Sequence, residues 1–323
     1  MVRRACLTLI VSLALCLAVD PAVKGEEYTF DYQRIIEPEG PLTFELTYIE
    51  GDLTVTASDD GRLVIEAVKK VQAVSKEEAE AVQAHIEIRL EVSGDRAKVT
   101  TNYLQMRNRG RSFWQKVLGL SGSDAFGEVD WSIALPEGCD FVVTNTGGKI
   151  DISHVRGAVT IRSSASDITL SSLEGPVRVE NSSGNTRGDL LFGDIEVRQA
   201  QGEIDLQFVE GDIRIKSTSA AINIRQDRGA IDLTTSTGSV DIETSLDSRR
   251  DFFVETESGN INLVIPRTSS GMLDITSETG EIRTEIPIAV KSMTRKQIVG
   301  EFGLGGVKVS LSSTSGDVTV AQF

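Results

Sequence analysis

The sequence predicts an all-β protein whose main part is a single-stranded β-solenoid with a two-sided coil of about 18 residues. Three observations predict it: a glycine beat of nine residues, period-two alternation of apolar residues between the beats, and corners of two types that alternate. Stepping by nine from Gly148 meets Gly157, Ser166, Gly175, Gly184, Gly193, Gly202, Gly211, Ala220, Gly229 and Gly238. Positions two and four after each step are almost all Ile, Val or Leu, with mostly polar residues between them, as in Ile150 and Ile152 or Ile213 and Ile215. Alternation of β-branched residues is the mark of a half-buried strand, and the glycines permit tight, positive-φ corners. Such strands close a core only by stacking. The position seven after the step is apolar in every second beat (Val155, Leu173, Leu191, Val209) and small in the others (Ser164, Ser182, Ala200, Thr218, Ser236). That alternation selects two sides per coil over three.

Taken in chain order, residues 1–25 read as a signal peptide. Arg3 and Arg4 precede an apolar run from Leu7 to Val19, too short to favour a membrane span. Cleavage is expected after Gly25, with Ala18 the other small candidate. Leu15 before Cys16 speaks against lipidation, and an uncleaved anchor is the alternative. The mature chain would then keep one thiol, Cys139, read as buried and inert. Residues 26–128 are read as an N-terminal β region. Within it, `EGDLTVTASDDGRLVIEAV` from Glu50 shares the alternation, and Ser75 with Glu78 forms a capping box for a helix to about Ala84. Strands are expected near 86–92 and 96–103, turning at Ser93-Gly94-Asp95.

Residues 105–127 escape the repeat. They carry Arg107, Arg109, Arg111 and Lys116 around Phe113 and Trp114, a basic island in a chain of net charge −15. This segment is the candidate partner contact; the competing reading is a short helix that covers an open end of the solenoid. Lys291, Arg295 and Lys296 form a second basic island. The solenoid proper is assigned to 129–323. The beat breaks at Thr186 and Gly188, where Leu190, Leu191 and Phe192 are expected to pack across a bulge, and Phe192 and Phe208 are placed near the core.

`LPEGCDFVVTNTGGKIDI`, the serial strands that follow it and the closing `GLGGVKVSLSSTSGDVTV` together resemble the bacterial putative-adhesin β-strand-repeat family. The resemblance covers about 40–72 and 129–323 and leaves out the 73–127 insertion. It implies an exported β-solenoid and brings no catalytic residues, cofactor or metal with it.

The residues narrow function further. Net acidity argues against a nucleic-acid partner. Calcium-binding nonapeptide solenoids need a `GGxGxD` ladder, whereas Gly-Gly occurs here only at 147–148 and 305–306. Asp151, Asp205 and Asp232 fall on outward strand positions as solvated charge. A polysaccharide-active β-helix enzyme would need paired carboxylates in a cleft with aromatic platforms, and the regular beat leaves no long corner loops for one. His85 and His154 have no clustered ligand or triad partner in the sequence. Asn181-Ser182-Ser183 matches a glycosylation sequon and is read as coincidence. The expectation is therefore a non-enzymatic, cofactor-free cell-envelope scaffold or adhesin-like interaction module at the periplasm or cell surface. Its partner would be an envelope protein, a glycan or an anionic surface. The alternatives are the β-helix enzyme and a membrane-associated envelope-stress sensing component. Outward residues divide between two faces, with Lys149, Asp151, Asp167 and Thr169 on one and Thr160, Arg178, Asp194 and Glu196 on the other.

Overall fold

A computed structural model of the chain describes residues 26–103, 127–246 and 250–323. In chain order the elements are β1 (Glu26–Ile36), β2 (Thr43–Thr47), β3 (Leu53–Ala57), β4 (Leu63–Ala73), α1 (Lys76–Gln83), β5 (Ile86–Ser93), β6 (Arg96–Tyr103) and β7 (Glu128–Leu135). The regular stack follows as β8 (Asp140–Ser153), β9 (Val159–Glu174), β10 (Val177–Ser183), β11 (Thr186–Phe192), β12 (Ile195–Glu210), β13 (Ile213–Arg228), β14 (Ile231–Thr237) and β15 (Val240–Thr244). The C-terminal part holds β16 (Phe252–Ser258), β17 (Ile261–Ile265), β18 (Gly271–Ser277), β19 (Ile282–Thr284), β20 (Ala289–Met293), β21 (Gln297–Phe302), β22 (Val307–Ser313) and β23 (Val318–Gln322).

The two-sided, 18-residue coil is borne out by register. Val159 pairs in parallel with Val177 on one face, and Ile150 with Ile168 on the other. We call the first the front face and the second the back face. β8, β9, β12 and β13 each run through a corner and contribute to both, so the hydrogen-bonded network is continuous. Inward columns such as Phe141, Val159, Val177, Ile195, Ile213 and Ile231 are buried. The apolar corner column Val155, Leu173, Leu191 and Val209 is buried as well.

The glycine corners have a steric cause. Gly175 has φ +135°, and a Cβ there would collide with the carbonyl oxygen of Gly157 in the preceding coil. An Asp or Asn follows many of these corners and does a second job. The Asp194 carboxylate accepts the Asp212 N–H at 3.1 Å, and the Asp212 carboxylate accepts the Ala230 N–H at 2.9 Å. Asp167 does the same for Asn185, and Asn185 for Glu203. These side chains bind one coil to the next where the ladder is interrupted.

The expected bulge at Thr186 is absent. Thr186 pairs with Ile168 and Gly188 with Leu170, in unbroken register. Thr186 is tolerated inside because its hydroxyl donates to Gln199 Oε1 at 2.7 Å. The space above Gly188 is taken by Leu191 and Leu206, whose methyl carbons would lie 2.7 and 2.9 Å from a Cβ there. Of the three residues expected to pack, only Leu191 does; Leu190 and Phe192 are exposed, and so is Phe208. The register shift falls instead between β12 and β13, where Val209 pairs with Gln226. The buried Gln226 amide donates there to Gly211 O at 2.7 Å.

The stack is not built in chain order. The coil of β2 and β3 lies between β6/β7 and β8. At the other end β22 and β23 lie between β16/β17 and β18/β19. Antiparallel strands finish the ends: β5 on β6, β4 on β7 and β1 on β4, then β21 on β18 and β20 on β21. α1 packs beside β4. Ser75 caps it by accepting the Glu78 N–H, the first half of the expected box, while Glu78 Oε2 reaches one residue past the cap and accepts the Val74 N–H.

Candidate interaction surface

Arg107, Arg109, Arg111, Phe113, Trp114 and Lys116 lie outside the described residues, as does the leader 1–25. The ends of the insertion are placed, however. β6 ends at Tyr103 on the front face and β7 begins at Glu128 on the back, so the insertion joins the two faces of the terminal parallel coil.

Within the described stack, alternation sends every second front-face side chain outward. One outward column runs Thr160, Arg178, Glu196, Arg214 and Asp232; its neighbour runs Thr144, Arg162, Glu180, Arg198 and Lys216. The charges interlock. Arg178 contacts Glu180 at 2.7 Å and Glu196 at 2.9 Å, Arg198 contacts Glu196 at 2.8 Å, and Arg162 reaches Glu180 at 3.6 Å. The hydrogen bonds from Arg178 hold the Glu180 carboxyl below the usual range. Glu180 and Glu196 sit lower in this lattice than the arginines beside them, whereas Asp232 is as exposed as Arg214. Glu196 is 23% exposed against 50% for Arg198, and Glu180 33% against 50% for Arg162. On the strands themselves Arg162, Arg178, Arg198, Arg214 and Lys216 outnumber Glu180, Glu196 and Asp232, and Asp194 and Asp212 at the adjoining corners bring the front face to balance within an acidic protein.

Two open troughs follow this face along the stacking axis. One, of about 630 Å³, runs past Arg178, Arg214 and Arg250 and past the carboxylates of Asp194, Glu196, Asp212, Asp232 and Asp251. The other, of about 670 Å³, lies between the column of Arg162, Glu180, Arg198 and Lys216 and the small corner column of Ser164, Ser182, Ala200 and Thr218. The back face is not balanced. Asp151, Asp167, Asp189, Glu203, Asp205, Asp241 and Glu243 outnumber Lys149, Arg187 and Arg225 there, so the back of the blade is the more acidic side. Sequence reading placed these residues on two faces and missed the asymmetry, which emerges only when columns 18 residues apart are summed.

Leu190, Phe192 and Phe208 form an exposed apolar ridge on one corner, with the Arg225 guanidinium 5.0 Å from the Phe208 ring centre. Leu190 and Phe208 are in the left-handed region at φ +55° and +53°, in one column with His154 and Ser172. Asn181 of the sequon is buried and donates to Ser166 O at 2.8 Å. Among the described residues no three His, Cys, Asp or Glu side chains converge as a metal site, and no helix is long and apolar enough to cross a membrane.

Fold and surface together define a β-strand-repeat protein of the solenoid class. The chain belongs to the Toastrack DUF4097 family, whose model matches residues 43–321, so the match runs through the 73–127 insertion as well. It is also similar to solved structures: an adhesin-titled protein of Parabacteroides merdae (10% identity, TM-score 0.45, covering 91% of this chain and 96% of that one) and another of Bacteroides fragilis (11%, 0.33, 92% and 97%). A third, from Parabacteroides distasonis, is titled a lipid-binding protein (11%, 0.31, 91% and 96%). No curated protein matches the chain.

Proposed function

We propose that the chain is an exported, non-enzymatic interaction module of the cell envelope, adhesin-like in that a rigid repeat surface makes the contacts. The leader-like segment 1–25 supports export to the periplasm or cell surface. The observation that carries the reading is the front face, where arginine heads rest on low-lying carboxylates over successive coils. Such a lattice is held in place before any partner arrives, so little side-chain entropy is lost on docking. Catalysis by a carboxylic acid would ask for a carboxyl held above its usual range. The shifts resolved for Asp60, Glu77 and Glu180 all run downward, led by hydrogen bonds from Arg62, the Glu77 backbone and Arg178 respectively. The insertion with Arg107, Arg109, Arg111, Phe113, Trp114 and Lys116 is a second contact segment in this reading, tethered at one end of the stack.

The test is capture from a solubilised envelope by the full chain, by a form lacking 105–127, and by Arg178→Gln with Arg214→Gln. Loss of a defined partner with the double variant places the contact on the front face, and loss with the deletion places it on the insertion. An interaction role is refuted if the full chain captures nothing above a resin control.

A further inference from the structure

The trough beside Arg162, Arg198 and Lys216 has the features of a specific kind of binding surface, and the inference rests on the interaction reading above. Its cations lie on one line along the stacking axis. Coils repeat at about 4.8 Å, so Arg162 and Arg198 are about 9.6 Å apart with Lys216 one coil beyond. Arg162 leans on Glu180 and Arg198 on Glu196, whereas Lys216 forms no ion pair among the described residues. The facing wall is hydroxyl-rich, with Ser164, Ser182 and Thr218 at the corners.

These features discriminate among ligands. No large apolar side chain lines the trough, so it offers nothing to a lipid chain or a hydrophobic peptide anchor. Its strands are paired on both sides, so no backbone edge is free for an added strand. A nucleic-acid strand carries a charge about every 3.4 Å, denser than these cations and opposed by Glu180. A linear chain with sparser acid groups and many hydroxyls matches both the spacing and the wall. We propose that this trough binds a carboxylated linear polysaccharide laid along the stacking axis. Arg162, Arg198 and Lys216 pair with its carboxylates, and the Ser and Thr hydroxyls meet its sugar hydroxyls.

The probe is hyaluronan, which carries a carboxylate on every second sugar, with its fully methyl-esterified form as the uncharged match, titrated against the full chain at low salt. Binding is expected to the acid and not to the ester, and to weaken as salt rises. Arg162→Gln, Arg198→Gln and Lys216→Gln together should weaken it by about tenfold or more. Lys149→Gln, Arg187→Gln and Arg225→Gln, which remove the same charge from the back face, should change it less than about twofold. Unchanged far-ultraviolet circular dichroism shows that both variants fold. Equal loss in the two triples, equal binding of the ester, or no binding of the acid overturns the proposal. If the acid is ignored while envelope capture still depends on Arg178 and Arg214, the polysaccharide assignment falls and the interaction module stands. If hyaluronan binds as expected and envelope capture fails, the trough assignment stands without a resident partner.

Discussion

At Gly193 the backbone turns with φ +148°, and an added Cβ would run into the carbonyl oxygen of Gly175. Three residues earlier Leu190 holds φ +55° with its side chain exposed, so it bears left-handed strain and recovers little by burial. The two positions predict opposite responses in urea unfolding. Gly193→Ala should lower stability by about 2 kcal/mol or more. Leu190→Gly should raise it by about 0.5 kcal/mol, the relief of strain exceeding the entropy added to the unfolded chain. A stabilised Gly193→Ala would show that the corner is looser than drawn. Cys139 gives a pH-dependent case. Burial, the leading cause, pushes its thiol from 9.0 up to about 12. A raised value means that the stabilisation is intact below about 9 and is lost as pH climbs toward 12. Native Cys139 should therefore resist iodoacetamide at about pH 8 and react once unfolded, read by mass spectrometry of its own peptide. Labelling at the unfolded rate in the native protein would refute this. Sequence alone misplaced Phe192 and Phe208 because phenylalanine is usually interior. It misread Thr186 because hydropathy does not register a hydroxyl satisfied by Gln199. The coil-binding acids carried a visible signal in Gly193-Asp194, Gly211-Asp212 and Gly316-Asp317, but its meaning needs the neighbouring coil.

At the scale of elements, local pattern and spatial order separate. The beat showed that β8 through β14 are strands of one coil type, because glycine corners and alternation are local properties. Which coil sits beside which is not local at either end. β2 and β3 carry the same signature as the others, and nothing in `EGDLTVTASDD` says that they enter between β7 and β8. The same holds for β22 and β23, just after which the Phe323 N–H donates back to Ile265 O at 3.1 Å. This placement makes the C-terminal coil a bridge. Truncation after Gly306 would leave β16, β17, β18 and β19 without the strands between them, with Val254, Leu263, Leu273 and Ile275 facing a missing layer. The truncated chain should lose its single cooperative thermal transition and associate through the bared edges, seen by calorimetry and size-exclusion chromatography. A monomer that melts in one step near the full-length temperature would show that 307–323 is an appendage rather than a layer.

For the whole molecule, a solenoid is close to one-dimensional: each coil touches only its neighbours, so ordinary stacks fray from the chain ends inward. Intercalation reverses that order here. Near the C-terminus the outermost front-face strand is β20, entirely exposed, and the outermost back-face strand is the three-residue β19, although both precede β22 and β23 in sequence. The last strands of the chain lie one layer deeper, with Val309, Leu311, Val318 and Val320 buried. Opening β22 and β23 requires either lifting β18 through β21 away or separating β16 and β17, and each route breaks a full layer of parallel ladder. Local fraying of β20 breaks one antiparallel pairing. Native-state hydrogen exchange should therefore run against chain order, with the ladder amides of β22 and β23 exchanging more slowly than those of β20 and β19, and closer to those of β13. Peptide-resolved exchange measured by mass spectrometry decides it. If protection instead falls steadily from β16 to Phe323, the C-terminal coil is the outermost layer and the intercalated order is wrong. The same logic places the antiparallel β1–β4 pair at the opposite end, so the strands that fray sit at the poles. The charged front face spans the coils between them, where the stack is held from both sides and a binding lattice can stay in register.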